Sequence, residues 1–253
     1  WLTWSIAERL GRPPMTATLF VALNPVFLVH GVGGGHNDLL MLAVVLVAVR
    51  LVLDSRPGRA GAAVAMAMSI KATAGLALPF VLIGARANSD RGLRRSALGF
   101  GAGAAVLGTL GTLIYGLSWL AIPITVSKGP SRHVGELESI PGMIVGYLHL
   151  GSVNAGVRIA LGAMAVAILV FAIRYSLRGG DRWLGGAAIA VIGALCVSTQ
   201  LHAWYIVLAL PFAALSDDAR VRRLAIALTV AVLLVIPAIR GMAPIGVTWP
   251  YSG

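Results

Sequence analysis

Lys71 lies near the middle of an apolar run and is one of only two lysines in the chain. An ammonium group in hydrocarbon costs at least about 2.5–3.5 kcal/mol on insertion scales, so it requires an anionic partner or water. A compact cation beside a helix amino terminus is suited to a lipid-linked phosphate. Lys71 is therefore predicted to bind phosphate. The alternative is a lysine that reaches a headgroup, or pairs with Asp38, only for folding.

A second polar group follows the glycine turn formed by residues 33–35 and consists of His36, Asn37 and Asp38. An acid beside an imidazole could bind a sugar hydroxyl, hold a divalent ion or assist proton transfer, and the sequence leaves these roles open. Asn37 or Asp38 could instead cap the next helix, which is a common use of these residues. Capping would not account for His36, so a role at the mouth of a site is favoured.

A third polar group contains Gln200, His202, Trp204 and Tyr205. Side-chain hydrogen bonds and an aromatic platform are what a sugar site commonly provides, and this group offers both. Gln200, His202 and Trp204 are therefore predicted to contact sugar. For Trp204 and Tyr205 an interfacial aromatic belt is an equal alternative.

Other charged residues carry weaker signals. Arg158 and Arg240, near helix ends, are predicted to contact phosphate or lipid headgroups. Glu136 and Glu138 would diverge on a helix and are interpreted as solvated loop residues. The single cysteine, Cys196, excludes an internal disulfide framework. No cofactor follows from the residues, and a divalent metal ion is left open.

The composition indicates which elements must position these groups. With 58% hydrophobic and 11% charged residues and a mean hydropathy of +0.89, the chain is too apolar for an ordinary soluble fold. Its apolar runs of roughly 17–25 residues match the length of helix that crosses a bilayer. Helices satisfy their own backbone groups in lipid, so we predict an all-α, polytopic transmembrane bundle. The net charge of +11 lies in short loops, where the positive-inside bias accounts for it and nucleic-acid binding is not expected.

Two of the apolar segments are atypical. The predicted segments are residues 15–32, 38–53, 60–84, 97–117, 157–175, 184–215 and 224–239. Segment 60–84 contains Lys71, and segment 184–215 is about twice too long for one span. Each of these two segments is either one span or a pair of short helices, which would meet at Lys71 in the first and at residues 200–202 in the second. If both are pairs of helices, every basic loop lies on the cytoplasmic side of the membrane. Nine helical segments result, and the polar breaks face an outward-facing cavity.

The chain is predicted to be a single integral membrane domain, residues 1–253, because no linker divides it. Residues 118–152 are predicted to form an external loop over the cavity. The first residue is Trp1 and not a methionine, and residues 1–10 resemble the end of an earlier helix. An amino-terminal truncation is therefore expected.

Four sequence features together resemble a known family. They are Asn24–Pro25, the turn Gly33–Asp38, Ser69–Ala72, and the run from Gln200 to Pro211. In this order they resemble actinobacterial polyprenol-phosphate-mannose-dependent α-1,6-mannopyranosyltransferases of the GT-C fold. The resemblance implies transfer of mannose from polyprenyl-phosphate-mannose to the α-1,6-mannan of lipomannan and lipoarabinomannan. The implied partners are the donor lipid, a mannan glycolipid acceptor and membrane lipids, at the outer face of the plasma membrane.

The resemblance also assigns roles. It implies that Lys71 binds the donor phosphate, that residues 36–38 form the mouth of the active site, and that residues 200–204 contact sugar. GT-C enzymes generally carry their catalytic acid in the first external loop, which this chain is expected to lack as a carboxyl-terminal portion. The catalytic base is thus unassigned, with Asp38 as a candidate inside the chain.

A transporter or flippase of a lipid-linked or anionic solute is the alternative function. Broken helices and an intramembrane cation also mark transport sites. The halves of the sequence show no inverted repeat, and the polar groups gather on one face. Both observations favour the transferase.

Overall fold

The computed structural model describes residues 1–33, 37–121, 139–147, 153–199 and 203–235. In these ranges all regular structure is helical, which confirms the predicted all-α class. The α-helices, numbered along the chain, are α1 (Leu2–Arg9), α2 (Pro14–Ala22), α3 (Asp38–Leu53), α4 (Pro57–Ile70), α5 (Leu78–Asn88), α6 (Gly92–Tyr115), α7 (Ile140–Tyr147), α8 (Ala155–Ser176), α9 (Arg182–Val197), α10 (Leu210–Ala214) and α11 (Ala219–Val230). Three 3-10 segments cover Ala72–Ala77, Gly116–Ala121 and Ala203–Leu208, and two π-helical segments cover Phe27–Val32 and Ala231–Val235.

Two helical stretches are long and apolar enough to cross a membrane. They are α6 with the 3-10 segment after it, Gly92–Ala121, and α8, and their most apolar windows are 0% and 6% buried within the protein. Apolar surface exposed on this scale is typical of a helix that lies in lipid. The structure thus supports membrane association, and the nine-segment polytopic bundle stays a prediction.

Both predicted helix breaks coincide with the end of a helix. α4 ends at Ile70, and Lys71 has an extended backbone, with φ −156° and ψ 124°. α9 ends at Val197, Ser198 is extended, and the chain is helical again from Ala203. Residues 200–202, at the second break itself, lie outside the described residues.

The apolar segment 15–32 is not one helix, contrary to prediction. α2 ends at Ala22, and the chain turns at Asn24 before the π-helical segment. The Asn24 side-chain oxygen accepts hydrogen bonds from the backbone N–H groups of Val26 and Phe27, at 3.0 and 3.4 Å. Its amide nitrogen donates to Thr229 Oγ1 of α11 at 3.0 Å. An Asn-Pro pair favours a turn, so the Asn24–Pro25 dipeptide carried a signal for this third break.

α4 and α6 pack with their backbones in contact. A Cβ atom at Gly61 of α4 would overlap the carbonyl oxygen of Ser96, and one at Gly99 of α6 would overlap the carbonyl oxygen of Gly58. Small residues permit such close approach between membrane helices. The contact holds the amino ends of α4 and α6 side by side.

The loops that follow α1, α3 and α8 meet at one end of the molecule. Asp54 lies 3.3 Å from Arg9 Nε and 2.9 Å from Arg50 Nε. Arg12 Nη2 lies 3.5 Å from Asp181. This agrees with the charge-based topology, which places these basic loops on one face. Asp38 begins α3, which has 16 residues, so it stands about 24 Å from that end.

Candidate active site at the first helix break

Lys71 and Asp38 form a close ion pair. Lys71 Nζ donates to Asp38 Oδ1 at 2.8 Å and to Oδ2 at 2.7 Å. The Asp38 side chain is 3% exposed and the Lys71 side chain 23% exposed. Asp38 is therefore the anionic partner of Lys71, as in the alternative in which the pair serves only for folding.

The lengths of α3 and α4 explain why these two residues meet. The helices have 16 and 14 residues and are joined by the short turn 54–56. At 1.5 Å per residue they are about 24 and 21 Å long, so two packed antiparallel helices bring the start of α3 level with the end of α4. Ser55 has φ +56°, the left-handed conformation that such a tight turn requires. The turn at one end of the helix pair thus brings Asp38 and Lys71 together at the other end.

The capping alternative for Asn37 and Asp38 is not observed. Asn37 is the N-cap residue of α3 but makes no side-chain capping hydrogen bond. Its amide nitrogen donates instead to the carbonyl oxygen of Ile70, at a long 3.5 Å. Asp38 is directed to Lys71, and its charge at the first turn of α3 also suits the positive end of the helix dipole. Both residues therefore tie the start of α3 to the end of α4.

Tyr205 brings the second helix break to the first. Lys71 Nζ lies 4.7 Å from the centroid of the Tyr205 ring. This is a cation–π distance, and such contacts are worth about 0.5–2 kcal/mol. Tyr205 belongs to the third polar group of the sequence but was not predicted as a site residue. Its position in the sequence, at the second predicted helix break, was the signal that could have identified it as a site residue.

The exposed part of Lys71 leaves it able to contact a further anion. An ammonium group has three N–H donors, and Asp38 receives two hydrogen bonds. The expected α-helix amino terminus beside the lysine is absent, because the residues after Lys71 form a 3-10 segment and α5 begins only at Leu78. Lys71 is therefore the group at this break that can attract a phosphate.

The structure describes only some of the other predicted site residues. His36, Gln200 and His202 lie outside the described residues, as do Glu136, Glu138 and Arg240, and the Trp204 side chain is likewise not described. Arg158 is in the first turn of α8, where its Nε donates to the Val153 carbonyl oxygen at 3.1 Å. Among the described residues no three His, Cys, Asp or Glu side chains are grouped to hold a metal ion.

Two open apolar grooves lie elsewhere on the protein. One of about 390 Å³ runs between α8 and α9 and contains Phe171, and one of about 490 Å³ runs between α2 and α11 and contains Phe20. Neither is lined by Lys71, Asp38 or Tyr205. Their linings supply few polar groups for sugar chemistry, so the ion pair is the stronger candidate site.

Comparison with known proteins supports the family resemblance. Residues 1–87 match the family described as "Alpha-(1->6)-mannopyranosyltransferase, N-terminal domain". This region contains both Asp38 and Lys71. No solved structure matches the chain.

Three named relatives agree with that match. Alpha-(1->6)-mannopyranosyltransferase A of Corynebacterium glutamicum is 42% identical over 82 residues, which are 32% of this chain and 17% of the relative. The protein of the same name from Mycobacterium tuberculosis is 37% identical over 82 residues, which are 32% and 16% of the two chains. A probable alpha-(1->6)-mannopyranosyltransferase of Mycolicibacterium smegmatis is 26% identical over an alignment that covers 95% of this chain and 50% of the relative. The resemblance predicted from the motifs is thereby confirmed, and the chain spans half of this last relative.

Proposed function

We propose that this chain is part of a polytopic, GT-C-like membrane mannosyltransferase. In this proposal it transfers mannose from polyprenyl-phosphate-mannose to an α-1,6-mannan acceptor at the outer face of the plasma membrane. Support comes from the relatives named as alpha-(1->6)-mannopyranosyltransferases and from the two exposed apolar helices. The observation that carries the proposal is the partly exposed ammonium of Lys71 at a helix break, beside the ring of Tyr205.

Lys71 acts on the donor phosphate in this mechanism. The acceptor hydroxyl attacks the anomeric carbon, a new C–O bond forms, and the bond from that carbon to the phosphate oxygen breaks. The electron pair goes to the phosphate, while a carboxylate base takes the hydroxyl proton. The remaining N–H of Lys71 donates to the phosphate as its charge grows, which stabilises the transition state more than the ground state.

Asp38 is a positioning residue in this mechanism and not the base. Both of its oxygens accept hydrogen bonds from Lys71, and its side chain is 3% exposed. A base must reach the acceptor hydroxyl directly or through one water. Asp38 fixes the ammonium and balances its charge before the donor binds. The base is supplied by another carboxylate, which stays unassigned.

The charge distribution supports the proposed orientation. The Arg9, Arg12 and Arg50 ion pairs lie at the end of α3 opposite to Lys71. Basic loops favour the cytoplasmic side. With that end inside, Lys71 and Asp38 face the outside, where a lipid-linked sugar and a growing mannan can both reach them.

A transfer assay tests the proposal. Membranes that carry the 253-residue chain, and membranes that carry a version extended upstream in the reading frame, are incubated with polyprenyl-phosphate-mannose and a short α-1,6-mannoside. Addition of one hexose, detected by mass, is the expected result. Lys71→Ala should abolish it, whereas Arg9→Gln, which removes a cation at the opposite end of α3, should not. Absence of hexose addition by both versions, with insertion verified, would contradict the proposal.

Transport is the second candidate function, favoured by the ion pair between Lys71, at a helix break, and the buried Asp38. A transporter would move the lipid-linked sugar across the membrane without forming a glycosidic bond. Proteoliposomes loaded on one side separate the two functions. Movement of the donor without any lengthened acceptor would replace the transferase by a transporter.

A further inference from the structure

A dense group of exposed arginines lies at the amino ends of α4 and α6 and at the carboxyl end of α5. This arginine patch consists of Arg56, Arg59, Arg86, Arg91, Arg94 and Arg95, all of them exposed. Asp90 is the one carboxylate in the sequence between Arg56 and Ala121. Within the described residues no ion pair engages a member of the patch. The patch is therefore a concentrated positive charge without an ion-pair partner in the described part of the chain.

Backbone contacts hold the three parts of the patch together. The contact of Gly61 with Ser96 joins α4 to α6 near their amino ends. A Cβ atom at Gly92 would overlap the carbonyl oxygen of Ala85, which places the end of α5 against the start of α6. Because these contacts are made by backbone atoms, the arginines cannot separate without unpacking the helices.

The patch also adjoins an apolar surface. The candidate membrane span begins at Gly92, and its most apolar window is not buried by the protein. Leu93 and Leu98, next to the arginines in sequence, are 44% and 62% exposed. Long basic side chains at the end of such a span reach the headgroup layer while their stems cover apolar surface. A ligand that fits carries negative charge at one end and hydrocarbon at the other.

We propose that the arginine patch is a docking surface for the headgroups of anionic phospholipids. Guanidinium groups bind phosphate oxygens in a bidentate manner, and juxtamembrane basic clusters attract anionic lipid. The lipid chains then lie along the exposed apolar face of α6. The inference does not depend on the proposed function, since the patch lies at the opposite end of α4 from Lys71.

Binding of soluble lipid to the whole chain tests the docking surface. The purified chain in neutral detergent is titrated with dioctanoyl phosphatidylglycerol and, separately, with dioctanoyl phosphatidylcholine, and bound lipid is counted by native mass spectrometry. The wild type should retain the anionic lipid in clear preference. The variant Arg94→Gln/Arg95→Gln should bind it about tenfold or more weakly. The matched control, Arg220→Gln/Arg223→Gln, removes two exposed arginines of α11 and should stay within about twofold of wild type.

Three outcomes would overturn the inference. Equal retention of the two lipids would show that the patch does not select charge. Equal loss in both double variants would show a general effect of net charge. Displacement of the lipid by an equal concentration of inorganic phosphate would show a site for free phosphate. If the unfolding temperature shows that Arg94→Gln/Arg95→Gln misfolds, the variant Arg56→Gln/Arg59→Gln, at the start of α4, serves for the same comparison.

Discussion

α3 has a carboxylate at each end, and the two carboxylates have different surroundings. Asp38, at the start, is 3% exposed and gives both oxygens to Lys71. Asp54, just after the helix, is 30% exposed and is shared by Arg9 and Arg50. The carboxylate is thus buried at one end of α3, beside a partly exposed lysine, and itself partly exposed at the other. Both carboxylates form ion pairs, so the burial of Asp38 is what distinguishes the candidate site from the structural ion pairs of Asp54.

The energetics of the two ends differ accordingly. Exposed ion pairs contribute about 0–1 kcal/mol, because water and salt screen them. A buried pair costs desolvation and often stabilises no more than apolar residues of the same size would. Such a pair at a helix break therefore calls for a reason other than stability. The proposed contact of Lys71 with the donor phosphate supplies that reason.

The largest effect on stability is expected from breaking the buried pair. Lys71→Met leaves the Asp38 carboxylate buried without a partner and should lower the free energy of unfolding by about 3–5 kcal/mol. Denaturation in detergent, followed by circular dichroism, measures it. The double variant Asp38→Asn/Lys71→Met, which removes both charges, should recover most of the loss. A single variant as stable as wild type would show that Asp38 is not desolvated as the structure has it.

The second largest effect on stability is expected at the backbone contact between the amino-terminal parts of α4 and α6. Gly61→Ala forces α4 away from Ser96 of α6 and should cost about 1–3 kcal/mol of unfolding free energy. Gly101, on α6, has no atom within 4 Å of the position that a Cβ would take. Gly101→Ala should therefore leave stability unchanged or slightly raised. Equal losses in the two variants would contradict the packing of α4 on α6.

Replacing the ring beside Lys71 should have a smaller effect. Tyr205→Leu removes the cation–π contact, worth about 0.5–2 kcal/mol, and leaves the ammonium less firmly placed for the donor phosphate. The KM for polyprenyl-phosphate-mannose should rise severalfold. Tyr205→Phe keeps the ring and should raise this KM less than Tyr205→Leu does. If the Phe and Leu variants behave alike, the ring contact does not contribute.

The smallest effect is expected at Asp54. Arg9→Gln leaves Arg50 as a partner and should cost about 0.2–1 kcal/mol of unfolding free energy. Raising the salt concentration should shrink this difference, because exposed charges are screened. A loss as large as that of Lys71→Met would remove the distinction between the two ends of α3.

The sequence predicts the first helix break because a charged residue stands there within an apolar run. Lys71 in an apolar run indicated a helix break, and the structure has that break. Its partner Asp38 was named only as an alternative, because the pairing depends on the matched lengths of α3 and α4. The turn at Asn24 was missed although the Asn-Pro pair signalled it.

Other features depend on contacts that no local pattern records. The residues after Lys71 form a 3-10 segment instead of an α-helix. In this segment Gly75 packs against the side chain of Met68, which lies before the break. The position of the Tyr205 ring over Lys71 requires two helix breaks, more than 100 residues apart in the sequence, to meet. Sequence periodicity describes each break separately and cannot show that they share one site.

The most direct test of the central claim is mannose transfer by the variant Asp38→Asn/Lys71→Met, measured per folded protein against wild type. This variant removes the ion pair without leaving a buried charge, so it separates folding from function. If Lys71 stabilises the donor phosphate, transfer should fall by about 100-fold or more, while stability stays close to wild type. Transfer near the wild-type rate would show that the pair serves folding alone and would contradict the assignment of Lys71.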